Sequence, residues 1–304
     1  EKQSYRNFEV IIVHDLKVEL PDHPWLKVKS LGKYMGPAEK RDLGAQMAKG
    51  EILAFLDDDA YPETDWLENI VKNFEDENVA GVGGPGVTPP KVSFMEAASG
   101  WMSASPMGAG PYSYRFLPGV KQNVDDYPSM NLAVRKSDFM EIGGYDSNYW
   151  PGEDTKLCLD LVRKLGKKII YEPKAVVYHH RRPLWKAHLK QNGNFGLHRG
   201  YFAKALPETS LRISYFLPSL MVIGITYLVI SSFEETLRIP GVFQLGWFLV
   251  GIYLSGLIAN GLWVWWKSGS LAHGLMAILS VWVTQGWYGV RFMEGFILKQ
   301  SLKR

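Results

Sequence analysis

The chain has 304 residues, of which 46% are hydrophobic and 21% are charged, and its formal net charge is +3. This length allows one large domain and a second region. The single cysteine, Cys158, excludes a disulfide framework and suits a reducing compartment. No basic tract is long enough to indicate a nucleic-acid-binding protein, so we expect no nucleic acid among the partners.

The charged residues are unevenly distributed along the chain. They are frequent up to about Arg212 and become sparse afterwards, where apolar stretches hold most of the 11 tryptophans. The mean hydropathy near zero therefore averages two different regions. This distribution predicts a soluble domain followed by a membrane region.

Strand and helix patterns alternate in the first part of the chain. Residues 8–13 predict a strand that ends near Asp15, and residues 25–28 predict a second, short strand. Residues 38–49 have helical spacing and end at a glycine. This alternation predicts an α/β domain with a parallel or mixed sheet.

Three consecutive carboxylates, Asp57, Asp58 and Asp59, directly follow the apolar run of residues 52–56. Such a run predicts a buried parallel strand, and ligands in open α/β sheets bind beyond the carboxyl ends of strands. The carboxylates would repel one another unless a cation neutralised them, and hard divalent ions take oxygen ligands. We therefore predict a metal site that holds a diphosphate. The alternative is a solvated acidic loop that caps the helix predicted over residues 66–74.

The middle of the chain is less regular. Residues 79–84 predict a strand, but periodicity fades from 88 to 127, where Gly, Pro, Ser, Met and aromatic residues mix. This composition predicts a long functional loop region or a substrate-facing insert. A strand over 130–135 and a helix through 137–139 follow.

A second acidic pair, Glu153 and Asp154, stands at a predicted helix start just after Trp150. Capping of that helix is an alternative to catalysis, because the helix dipole favours carboxylates there. Further on, a predicted strand ends at the run His179-His180-Arg181-Arg182. Imidazole can complete a coordination shell begun by Asp59, and guanidinium groups can hold phosphate.

In this order, the motifs resemble those of family-2 glycosyltransferases with the GT-A fold, over residues 8–182. The segments that carry the resemblance are 8–15, 38–42, 48–51, the DxD-like run 55–59, 131–135, 143–146, the "ED"-like segment 152–154, and 177–180. The resemblance implies an inverting, metal-dependent, hexosyltransferase-type enzyme that uses a nucleotide-sugar donor.

The resemblance also implies roles for individual residues. Asp154 would be the catalytic base, with Glu153 shaping its pocket. Asp59 would bind Mg²⁺ or Mn²⁺, and His179 or His180 would approach the metal or the diphosphate. The donor-binding residues would be Asp15, Arg41, Asp57, Asp58, Arg181 and Arg182, and the acceptor-binding residue would be Trp150.

Two features depart from the family pattern. The chain begins at Glu1 close to a strand, so we expect that the first strand of the family is missing. Residues 191–195 keep the Gln and an aromatic residue of a motif found in processive synthases but lack its Arg. The resemblance therefore does not extend to processive polymerisation.

The region after residue 183 predicts contact with a membrane. Residues 184–206 mix basic and aromatic side chains, which predicts an interfacial helix, with a surface helix of the soluble domain as the alternative. Residues 213–233, 242–263 and 271–298 are each near or above the ~20 residues that cross a bilayer. The last stretch contains Gln285, Arg291 and Glu294, so a broken, re-entrant or interfacial segment stays open there.

These observations predict three domains: a GT-A domain over 1–183, an interfacial amphipathic segment over 184–210, and transmembrane helices over 211–304. Basic residues before the first span and two Glu after it predict a multi-pass cell-membrane protein with a cytosolic catalytic domain. We expect a lipid-linked or envelope glycan acceptor and contact with membrane lipid, and the tail resembles that of succinoglycan-type exopolysaccharide transferases. The alternatives are a nucleotidyltransferase and a membrane scaffold with an inactive transferase domain.

Overall fold

A computed structural model describes residues 2–17, 20–149 and 151–301, with the backbone alone described at Ser147. The chain divides into two compact units. The first contains the residues up to Val87 together with Leu117–His179, and the second contains Thr88–Phe116 together with His180–Ser301. The domain limits expected from the sequence stay a prediction.

The elements follow the chain in this order. The strands are β1 (Val10–His14), β2 (Leu26–Ser30), β3 (Ile52–Leu56), β4 (Ala60–Pro62), β5 (Val79–Gly83), β6 (Gly86–Val87), β7 (Gln122–Val124), β8 (Asn131–Arg135), β9 (Lys168–Tyr171) and β10 (Val177–His179). The helices are α1 (Pro37–Met47), α2 (Trp66–Val71), α3 (Phe94–Ala104), α4 (Pro106–Ala109), α5 (Lys136–Glu141), α6 (Glu153–Arg163), α7 (Lys186–Ala205), α8 (Pro207–Ser210), α9 (Ile213–Phe233), α10 (Val242–Ser268) and α11 (Leu271–Ile297).

The strands of the first unit form a mixed arrangement, as predicted. Five strands pair in the order β3-β8-β5-β9-β7, with β5 parallel to β9 and antiparallel to β8. A three-stranded sheet has the order β4-β10-β6, and β1 pairs with β2 in parallel. The prediction that β3 is a parallel strand was wrong: β3 is an edge strand antiparallel to β8. A short apolar run does not itself encode the direction of its neighbour.

The core of the first unit lies against α2 and the turn after it. Trp66, Ile70 and Phe74 are spaced four residues apart, so they share one face and pack against apolar residues of β5, β8 and β10. The buried Asn131 of β8 accepts a hydrogen bond from the Trp66 indole at 2.9 Å and donates to the Ala175 carbonyl at 2.8 Å. These contacts fix the chain just before β10, which carries one of the candidate metal ligands.

The prediction of a long loop region after residue 88 was wrong. Residues 94–104 form α3, which is capped by the preceding Ser93, whose hydroxyl accepts a hydrogen bond from the Glu96 amide at 3.3 Å. The small residues on its buried face, such as Ala98 and Ser99, weaken the apolar periodicity that would have announced a helix. Met102 of α3 packs with Leu257 and Val281. The segment Thr88–Phe116, called the insert below, therefore belongs to the second unit, which is the helical unit.

The second unit is built of long helices. α9 and α10 are long and apolar enough to cross a membrane, by length and composition. α11 runs unbroken from Leu271 to Ile297, so the broken-segment alternative was wrong. Glycines bring α7 against α11: a Cβ at Gly196 would lie 2.6 Å from the Tyr288 carbonyl oxygen, and one at Gly200 would lie 2.1 Å from that of Phe292.

Polar side chains on the long helices bind a peptide of the insert. Asn260 accepts a hydrogen bond from the Met107 amide at 3.0 Å, and Gln285 donates to the Met107 carbonyl at 2.6 Å. Gln285 also accepts from the Tyr253 hydroxyl at 2.7 Å. Gln285 therefore satisfies backbone and side-chain groups within the unit instead of interrupting α11.

Candidate active site

Two carboxylates and an imidazole meet at the end of β3. One ligand atom each of Asp57, Asp59 and His179 lies within 4.8 Å of the others. The chain turns at Asp58 and Asp59 and enters β4, where Ala60 pairs with His179 of β10 in antiparallel register. This pairing places His179 Nε2 3.0 Å from Asp59 Oδ1. The β3–β4 turn and the last residue of β10 therefore build one cluster from distant parts of the sequence.

This cluster has the chemistry of a divalent-metal site. Carboxylate oxygens are the ligands of Mg²⁺ and Mn²⁺, and a neutral imidazole nitrogen also binds transition ions. All three side chains are partly exposed, so an ion and its further ligands can reach them. The donor set therefore fits the divalent cofactor that the resemblance implies.

Arg41 links this cluster to the second acidic pair. Its guanidinium, projecting from α1, lies 2.8 Å from Asp57 Oδ1 and 3.0 Å from Glu153 Oε1. The ring of Tyr145 lies 5.6 Å from the same guanidinium. Arg41 thereby links the end of β3 to the start of α6, and 112 residues of sequence separate it from Glu153.

The charge on Arg41 is stabilised by its surroundings. Burial works against that charge, but Tyr145, Asp57, Glu153 and Asp154 outweigh it and raise the pKa of Arg41 above its usual value. Burial also raises the pKa of the Tyr145 phenol well above its usual range, so the ring stays neutral beside the cation. The site therefore keeps a permanent positive charge between two carboxylates.

Glu153 and Asp154 occupy the first turn of α6. The chain enters this helix at Gly152 with φ of 146°, a conformation that favours glycine. Glu153 is buried and accepts a hydrogen bond from the Gly152 amide at 2.9 Å. Asp154 accepts from the amides of Thr155 at 2.8 Å and Ser129 at 3.3 Å. Backbone donors thus orient Asp154, whereas Glu153 is engaged by Arg41.

Asp15 lies just beyond β1 and is fixed by α1. Its carboxylate accepts a hydrogen bond from the Met35 amide at 3.0 Å and forms an ion pair with Lys40 at 3.1 Å. The hydrogen bond from Lys40 is the main reason that the pKa of Asp15 is lowered. Asp15 therefore stays ionised at neutral pH and can accept further hydrogen bonds.

The remaining predicted residues are placed differently. Asp58 is exposed in the β3–β4 turn. His180 Nδ1 lies 2.7 Å from Glu96 of α3, which also accepts from the Arg181 amide at 3.1 Å. Arg182 is exposed, and Trp150 lies outside the described residues. The structure thus brings His179, and not His180, to Asp57 and Asp59.

Sequence reasoning missed supporting residues around Arg41. Lys40 and Asp42 flank it in the segment used for the resemblance, yet neither was given a role. Asp42 accepts a hydrogen bond from the Tyr145 amide at 2.9 Å, and burial raises the pKa of Asp42. A Cβ at Gly144 would lie 2.6 Å from Asp42 Oδ1, which explains the glycine there. The sequence feature that could have indicated this contact is the Gly143-Gly144-Tyr145 turn, because its glycine allows a close approach by the Asp42 carboxylate.

Comparisons of the sequence with known proteins all find similarity to glycosyltransferases. Residues 1–143 match the family model for glycosyl transferase family 2. The pre-mycofactocin glycosyltransferase of Mycobacterium tuberculosis is 31% identical over 188 residues, which are 59% of this chain and 39% of that protein. The glucosyl-dolichyl phosphate glucuronosyltransferase of Haloferax volcanii is 25% identical over 196 residues, or 58% of this chain and 60% of that protein. The chain thus matches under two thirds of the length of either relative.

A solved structure shares the fold. It is the mannosyltransferase PcManGT from Pyrobaculum calidifontis in complex with GDP-Man and Mn²⁺, with a TM-score of 0.57 and 18% identity. The likeness covers 91% of this chain and 79% of that chain. The expected GT-A fold is thereby confirmed.

Proposed function

We propose that this chain, whose residues 1–143 match the model for glycosyl transferase family 2, moves a sugar from a nucleotide-sugar to a lipid-linked or glycan acceptor with inversion at the anomeric carbon. The observation that carries the proposal is the cluster of Asp57, Asp59 and His179, joined through Arg41 to the acidic start of α6. A diphosphate-binding metal and a base are the two groups that such a displacement requires.

Asp57, Asp59 and His179 would hold the divalent ion. When bound, the ion neutralises the negative charge that develops on the departing diphosphate. Magnesium prefers an all-oxygen shell, whereas manganese also accepts imidazole nitrogen. We therefore propose Mn²⁺ as the better activator, a choice consistent with the Mn²⁺ in the complex of PcManGT.

Asp154 is the proposed catalytic base. Glu153 is engaged by Arg41 and by the Gly152 amide, so its role is to position Arg41 and the start of α6. Asp154 is partly exposed and oriented by two backbone amides. Its carboxylate takes the proton of the acceptor hydroxyl as that oxygen attacks the sugar. A single displacement from the face opposite the leaving group gives inversion.

The long helices support a membrane location. Only 11% and 6% of the apolar windows of α9 and α10 are buried, and Phe233 and Trp266 are 88% and 73% exposed. A core helix of a soluble protein would hide such side chains. We propose that the catalytic unit lies on the cytosolic face of the cell membrane and that α7 lies in the interface. The chain should therefore stay in the membrane fraction after an alkaline carbonate wash that releases peripheral proteins.

The alternatives receive less support. A nucleotidyltransferase would release pyrophosphate, and an inactive scaffold does not need the metal cluster together with Asp154. The resemblance of the tail to succinoglycan-type transferases stays a prediction.

A screen of nucleotide-sugars with the full-length protein tests the proposed function. We expect slow, Mn²⁺-dependent release of nucleoside diphosphate from one donor, and faster release when membrane glycolipid is added. Release of pyrophosphate would support a nucleotidyltransferase instead. Binding of nucleotide without any turnover across the whole donor panel would support the inactive scaffold.

A further inference from the structure

A cluster of arginine and tyrosine side chains lies within the helical unit, and none of these residues belongs to the candidate active site. The rings of Tyr112 and Tyr215 stack with centroids 5.7 Å apart and planes 5° from parallel. Tyr112 belongs to a 3₁₀ turn, Gly110–Arg115, of the insert, and Tyr215 belongs to the first turn of α9. The stacked pair therefore joins the insert to the start of a candidate membrane span.

Three guanidinium groups surround this pair. Arg115 lies 4.9 Å from the Tyr112 ring centroid, and Arg199 of α7 lies 5.2 Å from that of Tyr215. Arg212, the residue before α9, donates to the Tyr112 hydroxyl at 3.5 Å. All three arginines are partly exposed. Guanidinium is the side chain that best matches the oxygens of a phosphate, so the cluster has the donors of a phosphate site.

A second observation also indicates a ligand. The hydroxyl of Tyr288 on α11 is buried and makes no hydrogen bond to any residue within the described ranges. The backbone of Tyr288 packs against Gly196 of α7, one helical turn before Arg199, and the Tyr288 side chain interacts electrostatically with Arg199 and Tyr112. A buried hydroxyl without an acceptor is unfavourable, and a phosphate oxygen among the arginines would supply the missing acceptor.

The surroundings indicate where the phosphate comes from. Arg212 is followed at once by Ile213, which is 80% exposed, and by further apolar side chains of α9, including Leu217 at 56% exposed. Cationic and aromatic residues at the end of an apolar helix lie at the depth of lipid headgroups. A ligand that fits both features has a phosphate and a hydrocarbon chain.

We propose that Arg115, Arg199, Arg212 and the Tyr288 hydroxyl bind the phosphate group of a membrane lipid. Within the proposed function, on which this part rests, that lipid is the phosphate-bearing carrier of the acceptor. The site would hold the carrier by its phosphate and leave its chain among the apolar side chains of α9.

Binding of geranylgeranyl phosphate to the full chain in uncharged detergent tests the proposal, with geranylgeraniol, short-chain phosphatidylglycerol and inorganic phosphate as comparison ligands. Each of Arg115→Gln and Arg212→Gln should weaken binding of geranylgeranyl phosphate about tenfold, the usual loss for a hydrogen bond to a charged group. Tyr288→Phe changes no charge and should weaken it by a similar factor. Arg212→Lys should retain part of the affinity.

The matched control is Arg163→Gln, which removes an exposed positive charge from the catalytic unit and should leave binding unchanged. Equal losses in this control and the site variants would overturn the proposal, because general charge would then explain binding. Equal binding of geranylgeraniol, or full displacement by inorganic phosphate at equal concentration, would also overturn it. Preference for geranylgeranyl phosphate over phosphatidylglycerol assigns the site to the acceptor carrier, and the reverse preference overturns that assignment.

Mn²⁺-dependent binding of nucleoside diphosphate is measured on the same samples. Loss of lipid binding with normal nucleotide binding in the site variants supports the proposal. Failure of nucleotide binding in the parent protein would contradict the proposed function and leave the lipid measurement valid.

Discussion

The first unit, called the sheet unit here because it holds the strands, and the helical unit distribute polar and apolar side chains in opposite ways. In the sheet unit, apolar residues such as Trp66 and Val82 are buried, and the acids of the candidate site are partly exposed. In the helical unit, Ser280 and Asn260 are buried, whereas Leu249 and Trp266 are exposed. Water stabilises the first distribution, and hydrocarbon stabilises the second, because polar groups must then be satisfied internally.

The arginines of the two units also differ in their surroundings. Arg41 lies between carboxylates in the catalytic unit, where it orders the groups that would face the donor. The arginines of the helical unit lie against tyrosine rings at the start of α9. The first arrangement belongs to the candidate active site, and the second is the basis of the proposed site for a lipid phosphate.

The largest expected effect belongs to Asp154 in the catalytic unit. Asp154→Asn should lower the turnover number by about 10²–10⁴-fold, because the acceptor hydroxyl loses its base. The affinity for nucleoside diphosphate and Mn²⁺ should stay near that of the parent protein. Steady-state kinetics together with calorimetry measure both quantities. Near-normal transfer would show that Asp154 merely orders the start of α6.

Truncation of the chain after Pro183 tests whether the insert depends on the long helices. The insert would lose its partners Leu257 and Val281, which pack on Met102 of α3. The truncated chain should therefore expose apolar surface and sediment without detergent, although it keeps the whole metal cluster. Ultracentrifugation with and without detergent measures this. A soluble, monodisperse truncated chain would show that the insert does not need the long helices.

The smallest expected effect is on stability in the sheet unit. Burial acts against the Glu172 carboxylate, but its bonds to Lys121, the Lys174 amide and Asn73 prevail and lower the pKa of Glu172. The ionised group therefore stabilises the fold above its unfolded pKa of about 4.5, and this contribution is lost as pH falls through the lower folded pKa.

Glu172→Gln should consequently lower the unfolding temperature by about 2–4 °C at pH 7. The difference should shrink as pH falls below about 4.5. Thermal unfolding followed by circular dichroism at several pH values measures it, with the exposed Glu77→Gln as the control. A difference that stays constant with pH would exclude the ion pair with Lys121 as its cause.

Local pattern predicted most of the elements but little of the tertiary arrangement. The strand over residues 52–56 was found at those limits because its apolar run is bounded by polar residues. Its antiparallel pairing with β8 was not predictable, because it depends on partners between 75 residues away (Leu56 with Asn131) and 83 residues away (Ile52 with Arg135), and not on the run itself. Likewise α3 was missed because its buried face is made of small residues.

The sequence predicted the acids of the candidate site but not the side chains that pair with them. Asp59, His179 and His180 were proposed as metal ligands because acids and imidazole at strand ends suit a metal, whereas Asp57 was assigned to the nucleotide-sugar. The choice between His179 and His180 required the register of β10 with β4, which brings only His179 to Ala60 and so to Asp59. Residue type alone cannot decide which of two adjacent histidines points into a site, because neighbours on a strand alternate in direction.

The central claim is that Asp57, Asp59 and His179 hold a divalent metal that binds the diphosphate of the donor. Calorimetric titration of nucleoside diphosphate with Mn²⁺ into the parent protein and Asp59→Asn tests it most directly. Exposed Asp22→Asn serves as the control, since it removes one surface carboxylate of the same unit that lies outside the cluster. We predict that the parent and the control bind nucleotide only with Mn²⁺ and that Asp59→Asn loses this dependence while keeping its fold. Unchanged Mn²⁺-dependent affinity in Asp59→Asn would contradict the metal site.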